Sequence, residues 1–134
     1  MSTYLVDNSV WQRAHRSPAI AQRLRELSPQ HLVITCPPQV LEYCHSARSL
    51  GEYRELRKDM EELLPASAHP AESDVLRVQQ ALWSTGRMRA AAAFDCLIAA
   101  YAMANDAVVL HSDHDFGHIA AALDGEFDQE YVEQ

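Results

Sequence analysis

The chain predicts an α/β fold, a central and mainly parallel sheet of four to five strands flanked by helices. Three observations carry this expectation. Short β-rich apolar runs alternate with longer stretches of helical periodicity, which places a crossover helix between successive strands and so makes them parallel. The 134 residues carry no internal repeat, linker or low-complexity segment. That length suits one domain with a proper core and is too short for two; residues 1–134 are therefore expected to form a single domain with an acidic end from about residue 124.

The elements follow in order. Tyr4-Leu5-Val6 is an apolar run that stops at Asp7, and Asn8-Ser9 can cap a helix over Val10 to Arg16. Pro18 to Leu27 reads as a second helix, with Pro at its front and Ile20, Leu24 and Leu27 at helical spacing. His31 to Thr35, bounded by Pro29 and Pro37, is a buried strand. A helix from Pro38 to Ser49 turns Val40, Leu41, Cys44 and Ala47 inward, Gly51 breaks it, and Glu52 to Leu64 resumes with Tyr53, Leu56, Met60 and Leu63 on one stripe. Pro65 to His69 is an edge strand. Ala71 to Thr85 is helical through Val75, Val78 and Leu82, and Gly86 ends it. Ala90 to Asn105 follows as a helix with Phe94, Leu97, Ile98, Tyr101 and Ala102 on its apolar face. Val108 to His111 is a strand, Asp115 to Leu123 a short helix, and Phe127 to Val132 a closing strand.

Composition narrows the function classes. No apolar run approaches the roughly 18 residues of a membrane span, and the start, MSTYLVDNS, has neither a basic leader nor a secretory core, so a cytoplasmic location is expected. Cys36, Cys44 and Cys96 form an odd set without a C-x-x-C pair, which fits reduced thiols better than a disulfide frame or zinc knuckle. The net charge of −8 argues at first against a polyanionic partner, but the acids are unevenly placed. Asp7, Glu42, Asp95, Asp113 and Asp115 fall at ends or faces of predicted elements, and Asp124, Glu126, Asp128, Glu130 and Glu133 crowd a tail that reads as a solvated end. Metal ions neutralising the first group would leave a surface compatible with a polyanion.

In open parallel sheets, ligands collect beyond the carboxyl ends of the strands. Asp7 follows the first strand directly, and Asp113 and Asp115 follow VVLH, so these three are expected at one edge. Glu42 lies a little over one turn into its helix, and Asp95 lies near the start of its own. Each is ordinary alone: Asp7 suits a helix cap, Asp95 a helix start and Asp113 an Asx-turn. Asp95, however, sits in FDCLIAAY, where a charge would be partly desolvated and no basic residue is placed to pair with it. Hard divalent cations such as Mg²⁺ or Mn²⁺ select such carboxylate oxygens. His111, His114 and His118 compete as zinc ligands, but with aspartates interleaved they suit a solvated or supporting role.

Y-L-V-D-N-S-V-W, the acid Glu42 after strand and proline, G-R-M-R leading into F-D-C-L-I-A-A, and V-L-H-S-D-H-D-F-G-H-I-A together resemble the PIN-domain ribonucleases, and within them the VapC toxins of bacterial toxin–antitoxin pairs. The resemblance runs from residue 4 to about 122 in matching order. It implies a PIN-like fold and an Mg²⁺- or Mn²⁺-dependent endoribonuclease that dimerises and is silenced by a VapB-like antitoxin. By the same resemblance Asp7, Glu42, Asp95 and Asp113 would bind the metal, with Asp115 as the additional acid. Ser9 would support Asp7, and Arg87 and Arg89 would approach RNA phosphate or an antitoxin acid. The run Ala90 to Ala93 departs from relatives, which often carry proline there. Two other classes compete on the residues. A receiver-like phosphoryl acceptor needs a lysine near the last strand, and the only lysine, Lys58, is mid-chain. A catalytically silent antitoxin-binding module would not need the full set of acids. Tyr53, Leu56, Met60 and Trp83 offer apolar surface compatible with a dimer or a bound antitoxin helix.

Overall fold

A computed structural model describes residues 1–134. Its five strands, β1 (Thr3–Val6), β2 (Leu32–Thr35), β3 (Leu64–Pro65), β4 (Ala107–His111) and β5 (Gln129–Tyr131), form one sheet in the order β3-β2-β1-β4-β5, with every neighbouring pair parallel. Seven helices connect and cover them: α1 (Asn8–Trp11), α2 (Pro18–Leu27), α3 (Pro37–His45), α4 (Leu50–Glu61), α5 (Glu72–Ser84), α6 (Ala93–Ala104) and α7 (Asp115–Leu123). None is long and apolar enough to cross a membrane.

Alternation along each strand sorts the core into two layers. Leu5, Ile34 and Val109 face one side and pack with Val78 and Leu82 of α5, Ile98 and Tyr101 of α6, and Phe116 and Ile119 of α7. Tyr4, Val6 and Leu110 face the other side and meet Val10, Ile20 and Leu27. The chain runs from β1 outward to β2 and β3, then returns to the far side of β1 as β4 and β5. The gap between β1 and β4 is therefore the point where winding reverses, the place where an open α/β sheet leaves a crevice at its carboxyl edge.

Several boundaries differ from expectation for identifiable reasons. Asp7 rather than Asn8-Ser9 caps α1: its backbone is extended and its side chain accepts the Ser9 amide at 3.0 Å, so the helix begins at Asn8 and ends by Trp11. Gly51 does not break the α3–α4 pair. It lies inside α4, while Ser49 supplies the new start by accepting the Glu52 amide at 3.1 Å. Gly86 does end α5, at φ +77°, with the Arg87 amide reaching back to the Leu82 carbonyl at 2.7 Å and the Gly86 amide to Trp83 at 3.3 Å. The third strand stops at Pro65 because the amides of Ser67 and Ala68 are taken by the Asn105 side-chain oxygen at 3.2 and 3.0 Å instead of a neighbouring strand. α6 starts at Ala93 instead of Ala90, with Ala92 extended ahead of it and no side-chain cap.

The acidic end is not a solvated tail throughout. β5 joins the sheet edge, Glu130 holds Arg23 at 2.7 Å and the Tyr4 hydroxyl at 3.2 Å, and Glu126 holds Arg77 at 2.7 Å. The inward assignments of Leu41 and Phe94 also fail: both are exposed, while Gln39 takes the buried place on α3. Of the four side chains read as partner surface, Met60 is buried and Tyr53 and Trp83 are exposed.

Candidate metal centre

Four backbone segments deliver five carboxylates to the carboxyl edge of the sheet at its winding reversal. Asp7 comes directly off β1 and Asp113 two residues beyond β4, neighbours because those strands pair with Val6 opposite Leu110. Asp115 opens α7, Asp95 lies in the first turn of α6, and Glu42 lies further along α3. Asp95, Asp113 and Asp115 each place an oxygen within 4.8 Å of the others. Asp7 joins them electrostatically, since it acts on both Asp95 and Glu42 and is itself acted on by Asp113.

Two of these acids also perform the ordinary tasks their positions suggest. Asp7 caps α1, and an Asp113 oxygen accepts the Asp115 amide at 3.0 Å, closing the turn into α7. Ser9 ties the two loops together: its amide donates to Asp7, and its hydroxyl oxygen accepts the Ser112 amide at 2.9 Å. The serine therefore fixes the spacing between the first acid and the pair after β4.

Electrostatically the cluster is uncompensated. Burial pushes the Asp95 carboxyl up to about 8, with Asp7, Asp113 and Asp115 adding to the rise. Asp7 is raised by burial and by Asp113, against which its hydrogen bonds to Ser9 pull down. Glu42 is raised by burial, then by Asp7 and Asp113, and its Oε1 is buried without a hydrogen-bond partner. The chain's salt bridges are Arg23–Glu130, Arg57–Glu61 and Arg77–Glu126, and none reaches these five. Two full charges at 4.8 Å repel by about 3 to 4 kcal/mol at an effective dielectric near 20. A cation, or a shared proton in its absence, is what such an arrangement calls for.

The donor set is hard. Cys36 approaches Asp7 and Glu42, but burial pushes its thiol up to about 12, so it offers no thiolate. His111 is buried beneath the site, bonded through Nε2 to Gln129 and through Nδ1 to the Asp113 amide, while His114 stacks on Tyr131 with ring centroids 4.9 Å apart. No histidine joins the three-carboxylate cluster. An all-oxygen set of this kind suits a hard divalent cation. Arg87 and Arg89 lie in the α5–α6 loop around a shallow hollow shared with Trp83, Gly86, Met88 and Ala90, and the Arg87 guanidinium is engaged with the Thr85 carbonyl at 3.3 Å. Lys58 is on the exposed side of α4.

An open groove of about 520 Å³ runs alongside, lined by Asn8, Gln12, Leu41, Glu42, His45, Ser46 and Phe94. Apart from Glu42, these residues were invisible as site residues, because periodicity assigned Leu41 and Phe94 to the core. The available signal was adjacency: each immediately precedes a site acid, so a helix that aims the acid at the carboxyl edge turns its neighbour onto the flank.

The PIN domain profile matches residues 4–122. Ribonuclease VapC21 of Mycobacterium tuberculosis is 36% identical over 120 residues, an overlap of 88% of this chain and 86% of that protein. VapBC2 from Rickettsia felis, solved bound to a DNA fragment from its promoter, superposes with a TM-score of 0.75 at 14% identity over 98% of this chain and 99% of the other. VapBC-5 from Mycobacterium tuberculosis, a member of the VapBC family of toxin–antitoxin systems, superposes at 0.61 with 22% identity and full coverage of both chains, 100% each. At such identities the solved structures speak to the fold alone.

Proposed function

The chain belongs to the PIN domain family, and from that premise we propose that it is a divalent-metal-dependent endoribonuclease, the toxin half of a VapBC-type pair, with residues 1–134 as its single domain. The observation that carries the reading is the gathering of Asp7, Glu42, Asp95, Asp113 and Asp115 with no basic partner. Their buried and half-buried oxygens, the unpartnered Glu42 Oε1 among them, fit a hard cation.

A bound Mg²⁺ or Mn²⁺ supplies the charge that offsets an anionic phosphodiester and brings water toward a usable pKa. Asp95, Asp113 and Asp115 would hold the ion, with Asp7 and Glu42 adding negative charge beside them. Ser9 is a positioning residue that keeps the β1 and β4 loops in register. Arg87 and Arg89 provide phosphate contact along the RNA or meet acids of a VapB-like antitoxin. The VapBC assemblies among similar folds support such a partner, and exposed Tyr53 and Trp83 support a homodimer. The compartment of such a pair is the cytoplasm.

The deciding experiment incubates purified protein with end-labelled RNA in Mn²⁺, in Mg²⁺ and in EDTA. Internal cleavage with either metal and none in EDTA is expected. Intact RNA in all three overturns the reading.

A further inference from the structure

The groove beside the carboxylates has a composition that the cleavage chemistry does not use. Its lining joins two exposed apolar side chains, Leu41 at 61% and Phe94 at 42% exposure, to the polar Asn8, Gln12, His45 and Ser46. Leu41 immediately precedes Glu42, and Phe94 immediately precedes Asp95, so the two apolar walls ride on the helices that carry two of the five acids. No lysine or arginine lines the groove. A phosphate there meets Glu42 and finds no cation, whereas a neutral ring with hydrogen-bonding edges meets an aromatic face and a polar rim. Asn8 adds a further cue: it is 9% exposed, it lines the groove, and its Oδ1 has no hydrogen-bond partner.

We propose that this groove is a nucleobase subsite, in which the base flanking the scissile phosphate stacks on Phe94 against Leu41 and is read at its edges by Asn8, Gln12, His45 and Ser46. The proposal rests on the nuclease reading for its substrate and adds where specificity resides. Continuity with the acids gives the geometric logic. A base held between Leu41 and Phe94 brings its own phosphate toward Glu42 and Asp95, so stacking helps choose which linkage is presented. Because a stack needs an unpaired base, the substrate is single-stranded at that position, as sequence-reading of RNA generally requires. Stacking on one aromatic is sequence-tolerant, so the preference among bases falls to the four polar residues.

The test uses the full chain and a single-stranded RNA carrying 2-aminopurine beside the mapped cleavage site, whose fluorescence is quenched on stacking. With Mn²⁺ and the Asp95→Asn background to prevent cutting, binding is expected to quench the probe. Phe94→Ala abolishes the quench and Phe94→Tyr retains it. In steady-state cleavage by the otherwise unaltered chain, Phe94→Ala raises KM by about 5- to 150-fold, the range that loss of one base–aromatic stack implies, with little change in kcat. An RNA abasic at the same position raises KM similarly for the unaltered chain and not further for Phe94→Ala. An unchanged quench or KM in Phe94→Ala overturns the subsite while cleavage itself still stands. If the unaltered chain cuts no RNA, Phe94-dependent quenching on RNAs that carry 2-aminopurine at each position in turn supports base stacking in the groove and removes the nuclease. A groove indifferent to RNA whose Phe94→Ala variant loses antitoxin binding is a protein-docking surface, which also overturns the proposal.

Discussion

Acids at the carboxyl edge and acids near the chain end are of the same kind and meet opposite surroundings. Glu130 and Glu126 each meet an arginine at 2.7 Å, and the pairing with Arg23 holds Glu130 below the usual carboxylate range. Asp7, Glu42 and Asp95 meet only one another, Asp113 and Asp115, and all three are raised. The chain has arginine to spare, so the missing counterion at the edge is a property of placement and not of supply. Paired acids close the sheet onto α2 and α5; unpaired ones leave a charge deficit that an outside cation can fill.

The largest effect expected from breaking this contrast is on cleavage. Asp95→Asn lowers the RNA cleavage rate by more than about 100-fold, beyond the 10- to 100-fold typical of changing groups merely around a metal, and raises metal-free melting near neutral pH, because the buried position then holds a neutral side chain without taking up a proton. Rates and melts on the same preparation check both halves. Next in size, Mn²⁺ at a hundredfold excess over its Kd stabilises the native chain by about 2.7 kcal/mol through mass action, and this increment shrinks in Asp95→Asn; thermal melts with and without the ion measure it.

The two groups of acids also oppose each other in pH. Asp95 binds its proton more tightly folded than unfolded, so its contribution is complete below its ordinary 3.8 and is lost as pH climbs toward about 8. Glu130 is shifted down, so its contribution is present above its ordinary 4.5 and is lost as pH falls through the lowered value. Metal-free protein therefore loses melting temperature between about pH 4 and 8, and Asp95→Asn flattens that slope. The smallest effects come from the paired group. Glu130→Gln costs about 1 kcal/mol, as a part-buried ion pair with two guanidinium hydrogen bonds should. Glu126→Gln, on a half-exposed pair, costs at most a few tenths. Both keep full RNA cleavage, and denaturant titration resolves the difference between them.

The parallel sheet and the edge position of Asp7, Asp113 and Asp115 were legible because they follow from apolar runs and from where ligands gather on a parallel sheet. Local helix-end rules also read well at Pro18 and Gly86, where one ring or one φ value decides the outcome. Leu41 and Phe94 were misread because helical periodicity counts an apolar residue as inward without knowing how far the neighbouring helix extends over it. The tail was misread for a complementary reason: charge density alone predicts solvation, and only the fold reveals that Arg23 and Arg77 stand opposite Glu130 and Glu126. The Asn105 side chain, which replaces a strand partner for residues 67 and 68, had no sequence signal, since its partners lie 37 and 38 residues away.

The central place of β1, flanked by β2 on one side and β4 on the other, has a consequence in time. Asp7 leaves the ribosome well before the strand that must lie beside it, and before Asp113 beyond that strand. At about 5 to 20 residues per second, the interval between translating the two aspartates is roughly 5 to 20 s. A growing polypeptide of this kind cannot gather its acidic cluster before Asp113 and Asp115 have been made, so the charge deficit at the sheet edge forms in one late step.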